Sequence, residues 1–198
     1  SVDEWGVWAV PSNTVNNEID EKPWQIAPAI SEQIYTLEDA LLFAEMQMVI
    51  IRNADAIKIA CQSLLTNISA CIMTEKGGGH WLQTIYYPFY YFANYAKGIV
   101  LNVSSTGPVY DCKEFNNVPY VDFIVVWNDE DGELVFFAVN RDEDNKQKVS
   151  LQLSDFEVDS VIESIGMTAA DKKMTNQFQH DAVKPETVDN VKLGNGEA

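Results

Sequence analysis

Two neighbouring carboxylates, Asp3 and Glu4, are followed within a few residues by two tryptophans, Trp5 and Trp8, in the stretch SVDEWGVWAV. A carboxylate can serve as nucleophile or proton donor, and an indole offers a flat apolar face on which a sugar ring stacks. Val2, Trp5, Val7 and Trp8 favour extended backbone, while Gly6 and Pro11 punctuate it, so the stretch reads as a short strand running into a loop. Successive side chains of a strand point to opposite faces, and Asp3 and Glu4 are therefore not expected to converge on one bond as an acid and nucleophile pair. If the strand belongs to a parallel barrel, the residue at its C-terminal end faces the active-site mouth. On the residues alone, a solvated strand end or a salt-bridged glutamate stands beside that catalytic reading.

Other stretches carry weaker chemistry. The run EKGGGHW lacks the Lys-Ser/Thr ending of a phosphate-binding loop and reads as a flexible connector. In WNDEDGE, placing Gly132 at the sixth position of a calcium loop puts Trp127 first and Ala138 twelfth. Neither can ligate, so a hairpin turn through Asp131 and Gly132 is expected instead. Cys61, Cys71 and Cys112 have no metal-ligand spacing, and with only His80 and His180 beside them they read as reduced structural thiols. No metal or organic cofactor is expected. Asn67 and Asn102 each begin an Asn-X-Ser sequon, which carries meaning only in a secreted chain.

The elements that must position these groups follow from periodicity. A long polar loop is expected over PSNTVNNEIDEKPWQIAP. Thr36, with Asp39 three residues on, caps a helix whose apolar face is Leu37, Ala40, Leu41, Ala44, Met48 and Ile51. AIKIAC follows as a short strand. HWLQTIYYPFYYFANYAKG reads as a second helix, kinked or broken at Pro88 and stopped by Lys97 and Gly98, with most of its aromatic stripe (Trp81, Tyr86, Tyr87, Phe89, Tyr90, Tyr91 and Phe92) in the core. Beyond Gly98 the texture changes to the short alternating runs IVLNVSS, VDFIVVWN, ELVFFAVN, VSLQL and VDSVIESI, which predict an antiparallel sheet domain. The tail after Met167 is polar, without a clear terminal strand.

The 198 residues, 46% of them hydrophobic, suffice for a core, and 13 basic against 30 acidic residues give a formal charge of -17. That field repels phosphate backbones and anionic bilayers, so neither nucleic acid nor membrane is an expected partner. No run of 18 apolar residues and no signal-peptide pattern occurs in this sequence. The compartment is left open, with a lean towards the cytoplasm.

Five blocks in order, VDEWGVW, PWQIAPAISEQIYTLEDALLFAEM, ADAIKIACQSLLTNISACIMTEKGG, WLQTIYYPF and FFAVNRD, resemble the C-terminal half of the family 51 α-L-arabinofuranosidases, over residues 1 to about 180. The resemblance implies an α/β plus all-β fold: residues 1–97 as the last two strand-helix units of a (β/α)8 catalytic barrel, and residues 98–198 as an antiparallel β-sandwich lacking its final strand. It implies that Glu4 is the nucleophile of a retaining glycosidase and that Trp8 lines the sugar pocket. A retaining mechanism needs a second carboxyl about 5 Å from the first. The family carries that acid/base on an earlier barrel strand, which this chain does not contain. The implied partners are an arabinofuranosyl oligosaccharide of plant type, the N-terminal barrel segment and further copies in a homo-oligomer. The isolated chain is expected to be inactive.

Two positions depart from the family. Gly6 stands where Asn is usual, and Leu64 where a Gln normally reaches the bound sugar; a Leu cannot make those hydrogen bonds. Gln62 lies two positions away, on the same face of the pleat but displaced by about 7 Å. A non-catalytic carbohydrate-binding remnant, or a purely structural piece whose sandwich mediates assembly, are the alternatives to an enzyme part.

Overall fold

Strand β1 (Val2–Trp5) runs parallel to β2 (Ala60–Gln62), and helix α1 (Leu37–Arg52) lies between them in sequence, so the chain begins as a strand-helix-strand unit. The computed structural model describes residues 1–8, 24, 26, 32–153, 156–189 and 191–194. The polar loop expected over residues 11–28 falls outside these, apart from Trp24 and Ile26. The cap expected at Thr36 is formed: its hydroxyl accepts from Asp39 N at 3.3 Å, and the Asp39 carboxylate accepts from Thr36 N at 2.7 Å. This reciprocal box satisfies two backbone donors that the first turn would otherwise leave unpaired.

Helix α1 serves two cores. Its first half sets Ala40 and Phe43 against Trp5, Tyr35, Cys71 and Ile85, with the Trp5 and Phe43 rings 5.2 Å apart. Its second half sets Met48 against Phe92, Ile124, Val126 and Val139. One apolar stripe thus binds the parallel unit to the sheet that follows.

The second helix differs from its expected form. His80–Leu82 are not helical but form β4, paired antiparallel with β3 (Ile72–Thr74). The glycine run Gly77–Gly79 is the turn of this hairpin rather than a loose connector: Glu75 N donates to Gly79 O at 3.0 Å. Helix α2 begins only at Tyr86 and ends at Tyr95. Pro88 therefore falls in its first turn, where a missing N–H costs nothing, and no break follows. The aromatic stripe is less buried than expected. Phe92 alone of its aromatics is fully buried, stacked on Phe137 at 4.2 Å, while Tyr86 stacks on Tyr90 at 5.9 Å and Tyr91 on Tyr95 at 5.8 Å along a half-exposed face.

Gly98 lies between helix α2 and the strands that follow. It adopts φ +111, and a Cβ there would lie 2.1 Å from the carbonyl oxygen of Trp127, so only glycine lets β5 (Ile99–Val100) approach the backbone of Trp127. Strands β8 (Val121–Asn128) and β9 (Glu133–Asn140) form the expected hairpin, Val121 opposite Asn140 through Asn128 opposite Glu133, and β5 completes a three-stranded antiparallel sheet. Smaller pairs are β6 (Val109–Tyr110) with β7 (Val118–Pro119) and β10 (Ile165–Gly166) with β11 (Glu186–Thr187). VSLQL forms no strand, and of VDSVIESI only Ile165 does. Both runs alternate correctly but find no adjacent edge among the described residues; alternation is necessary for a strand and insufficient without a partner.

The polar tail returns to the first unit. Leu37 N donates to Met174 O and Glu38 N to Lys172 O, each at 3.0 Å, so tail carbonyls take up the free donors at the start of α1. Val183 and Asn176 are fully buried; the Asn176 amide donates to Val183 O at 2.8 Å and to Leu82 O at 3.1 Å. Phe178 meets Trp81 edge-on at 6.4 Å.

Candidate active site

The C-terminal ends of the two parallel strands bring together the residues with chemistry. Val2 pairs with Ala60 and Trp5 with Gln62, so three steps along β1 match two along β2 and the ladder is irregular between them. Asp3 and Glu4 are both exposed, flanked by half-buried Val2 and buried Trp5. They still do not converge on one bond. Asp3 accepts from the Ser1 hydroxyl at 2.6 Å, whereas Glu4 Oε1 accepts from the Ser63 hydroxyl at 2.5 Å.

Trp5 anchors the strand end from below, buried against Phe43. Trp8 is 53% exposed and beyond the strand, and its six-membered ring lies against Gly6. Between them, Val7 O accepts from the Tyr35 hydroxyl at 2.8 Å, tying this segment to the approach to α1. The Tyr35 phenol is pushed up to about 12, chiefly by burial, against a hydrogen bond with Ser69 that lowers it and with the nearby Asp39 charge that raises it further. It is therefore a fixed donor, not a proton shuttle. Cys71, in the same core, is pushed up to about 12 by burial and is a packing residue, as expected; Cys61 and Cys112 are exposed free thiols.

Leu64 follows β2 with φ +55 and is 52% exposed. It thus sits at the same end of the parallel pair as Glu4, in a left-handed conformation that is uncommon for a leucine. Asn67 and Ser69 also have positive φ, and the loop is held by Asn67 Oδ1, which accepts from Thr74 N at 2.8 Å. Gln62 is not free to supply the amide that the resemblance leads one to expect at position 64. Its Nε2 donates to Ser63 O at 2.6 Å, and its Oε1 accepts from the Cys71 thiol at 3.5 Å, so both ends of the amide are turned into the loop.

Sequence reasoning misses three residues here. Two are Tyr35 and Ser63, whose side chains reach Val7 and Glu4 from far along the chain. Gln83 is the third: fully buried, it accepts from Tyr35 N at 3.0 Å and donates to Gln33 O and Ala70 O at 2.8 Å each, stitching three segments beneath the site. A lone Gln inside an aromatic run is the signal that could have found it. Among the described residues no group of His, Cys, Asp and Glu is disposed to hold a metal ion, and no helix is long and apolar enough to cross a membrane.

Residues 3–198 match the family model described as the α-L-arabinofuranosidase C-terminal domain. The chain belongs to that family. It is 42% identical over 177 residues to an intracellular exo-α-(1→5)-L-arabinofuranosidase of Halalkalibacterium halodurans, covering 89% of this chain and 35% of that protein. It is likewise 42% identical over 187 residues to one from Bacillus subtilis, covering 93% and 36%. Among solved structures it resembles a family 51 α-L-arabinofuranosidase from Bifidobacterium longum at 28% identity and a TM-score of 0.84, covering 94% of this chain and 38% of that one. A family 51 arabinofuranosidase from Xanthomonas axonopodis pv. citri, 22% identical with a TM-score of 0.71, shares the fold. The chain therefore spans little more than a third of the length of these relatives.

Proposed function

We propose that this α-L-arabinofuranosidase C-terminal domain supplies the nucleophile of a retaining glycosidase that releases terminal arabinofuranosyl groups from plant-type oligosaccharides. The observation that carries the proposal is the exposed Glu4 carboxylate at the C-terminal end of a parallel strand, beside an exposed tryptophan. The names of the 42% identical relatives support exo cleavage, an α-(1→5) linkage and a site of action inside the cell.

A free Glu4 oxygen attacks the anomeric carbon as the bond to the leaving oxygen breaks, and a second carboxyl protonates that oxygen. The glycosyl ester is then cleaved by water, activated by the same second carboxyl, and two inversions give net retention. Glu4 and Trp8 are the contributions of this chain. The second carboxyl and the remaining strands of a (β/α)8 barrel come from an N-terminal segment. Two strands of such a barrel leave an unpaired edge, so the 198-residue chain alone gives no turnover. The family habit of homo-oligomer formation is carried over, and light scattering reads it directly.

The test is to trap the intermediate in the full-length enzyme with a slow fluorinated arabinofuranoside and map the labelled peptide. The sugar is expected on Glu4. A label on Asp3, or sugar binding without any adduct or turnover, replaces this reading with that of a carbohydrate-binding remnant.

A further inference from the structure

Glu4 is held by a residue that neither spacing nor motif singles out. Ser63 is the first residue after β2, and its backbone N–H donates to Trp5 O at 2.8 Å, which extends the parallel ladder by one bond past Gln62. From that fixed backbone its hydroxyl donates to Glu4 Oε1 at 2.5 Å. Ser63 therefore grips two consecutive residues of β1, the carbonyl of Trp5 and the carboxylate of Glu4. The grip is rigid. Ser63 is only 6% exposed, its own carbonyl accepts from Gln62 Nε2 at 2.6 Å, and the chain turns away through the left-handed Leu64. The hydroxyl has one donor proton, spent on Oε1. Among the described residues Oε2 has no hydrogen-bond partner.

We propose that Ser63 is the positioning residue for Glu4: it pins Oε1 so that Oε2 is the atom presented to the anomeric carbon. This rests on the reading of Glu4 as nucleophile. In the first step Oε2 forms the bond to the anomeric carbon, the aglycone leaves with its electron pair and takes a proton from the second carboxyl, and Oε1 becomes the ester carbonyl oxygen. In the second step water attacks that carbon, the bond to Oε2 breaks and its electron pair returns to the carboxylate. The water proton goes to the second carboxyl. Ser63 acts more strongly in this second step, because its hydrogen bond strengthens as charge returns to the leaving carboxylate. A hydrogen bond to a charged group of this kind corresponds to about tenfold to a hundredfold in rate.

In the full-length enzyme, Ser63→Ala should lower kcat for an activated aryl arabinofuranoside by about tenfold or more and lower KM with it, because the glycosyl-enzyme accumulates. A burst of released aryl group and an adduct visible by intact mass should accompany the fall. Ser63→Thr, which keeps the hydroxyl, should recover most of the rate. Parent kinetics in a folded Ser63→Ala enzyme would overturn the proposal. So would equal losses in Ala and Thr variants with raised KM and no burst, the pattern of general loosening. The two readings fail separately: an adduct on a residue other than Glu4 in the parent removes the nucleophile, whereas an adduct on Glu4 with unaltered Ser63→Ala kinetics removes only the positioning role.

Discussion

Trp8 and Gly6 are in direct contact: a Cβ built on Gly6 would stand 3.3 Å from two carbons of the Trp8 ring. Gly6, where the resemblance leads one to expect Asn, and the tryptophan expected to line the pocket are therefore one feature, since the ring occupies space that a longer side chain at position 6 needs. Gly6→Asn should push the exposed indole outward with little loss of stability, and the displaced ring should raise KM for an aryl arabinofuranoside several-fold while kcat changes less. Steady-state kinetics of the full-length variant, beside Trp8→Ala, measures this. An unchanged KM in both would mean that Trp8 does not touch the sugar.

Leu64→Gln introduces the amide that the resemblance leads one to expect at this position. The position is exposed and already left-handed, so the exchange of one unbranched-at-Cβ side chain for another should leave the melting temperature within about 1 °C. One gained hydrogen bond in the transition state is worth about 1 kcal/mol, or several-fold in kcat/KM. A fall in kcat/KM would show that the pocket has been rebuilt around the leucine.

Glu4→Ala in the full-length enzyme should lower kcat by several orders of magnitude. Added azide can fill the vacated space and attack the anomeric carbon directly, so turnover should return in part. Its product is a glycosyl azide of inverted configuration, because one displacement replaces two. Proton NMR of the product decides the matter: a retained anomer would require another nucleophile.

Arg141 bolts the sheet to α1. Its Nε donates to Glu45 at 2.5 Å, a terminal nitrogen donates to Asp122 at 3.0 Å, and Arg52 of α1 pairs with the same Asp122. Burial pulls the Arg141 pKa down, but the hydrogen bond to Glu45 and the charges of Glu45 and Asp122 outweigh it, and the net direction is up. Arg141→Ala leaves two half-buried carboxylates short of a cation and should cost about 2 kcal/mol in urea denaturation. Arg141→Lys should recover only part of this, since an ammonium lacks the fork that spans both acids. Full recovery by Lys would reduce the cluster to simple charge balance.

Alkaline pH should weaken the first core. Unfolded Cys71 and Tyr35 ionise near their ordinary values of 9.0 and 10.0, whereas in the fold burial holds both protonated to about 12. The unfolded state loses protons first, so the contribution is fully present below pH 9 and declines as the pH rises towards 12, by about 1.4 kcal/mol for each unit of difference. Cys71→Ala removes one titrating group. The stability it loses in urea should be smaller at pH 11 than at pH 8; an equal loss at both would mean that Cys71 ionises alike in both states.

What the sequence discloses is mostly local. The Thr36–Asp39 box and the Val121–Asn140 hairpin depend on residues a few positions apart, and both form as their patterns predict. His80–Leu82 become a strand because Ile72–Thr74 lie beside them, and Pro88 is harmless because the helix starts later than its aromatics suggest. In the site, Glu4 is marked by its strand end and the resemblance. Ser63, Tyr35 and Gln83 are not, because each acts through a side-chain bond to a segment distant in sequence. The irregular pairing of β1 with β2 leaves no trace in residue types.

The tail bonds at the start of α1 bear on the timing of synthesis. Leu37 N and Glu38 N find their acceptors on Met174 and Lys172, and Val183 fills a site beneath β4 through Asn176. As the ribosome extends the chain, α1 can coil and the β8–β9 hairpin can close, yet the first unit keeps unsatisfied donors until the tail has emerged. Contacts of such long sequence separation slow folding and leave apolar surface open to chaperones. A stalled nascent chain ending before Met174 should therefore be cut readily by protease in the segment around α1, and one that has cleared Val183 should resist.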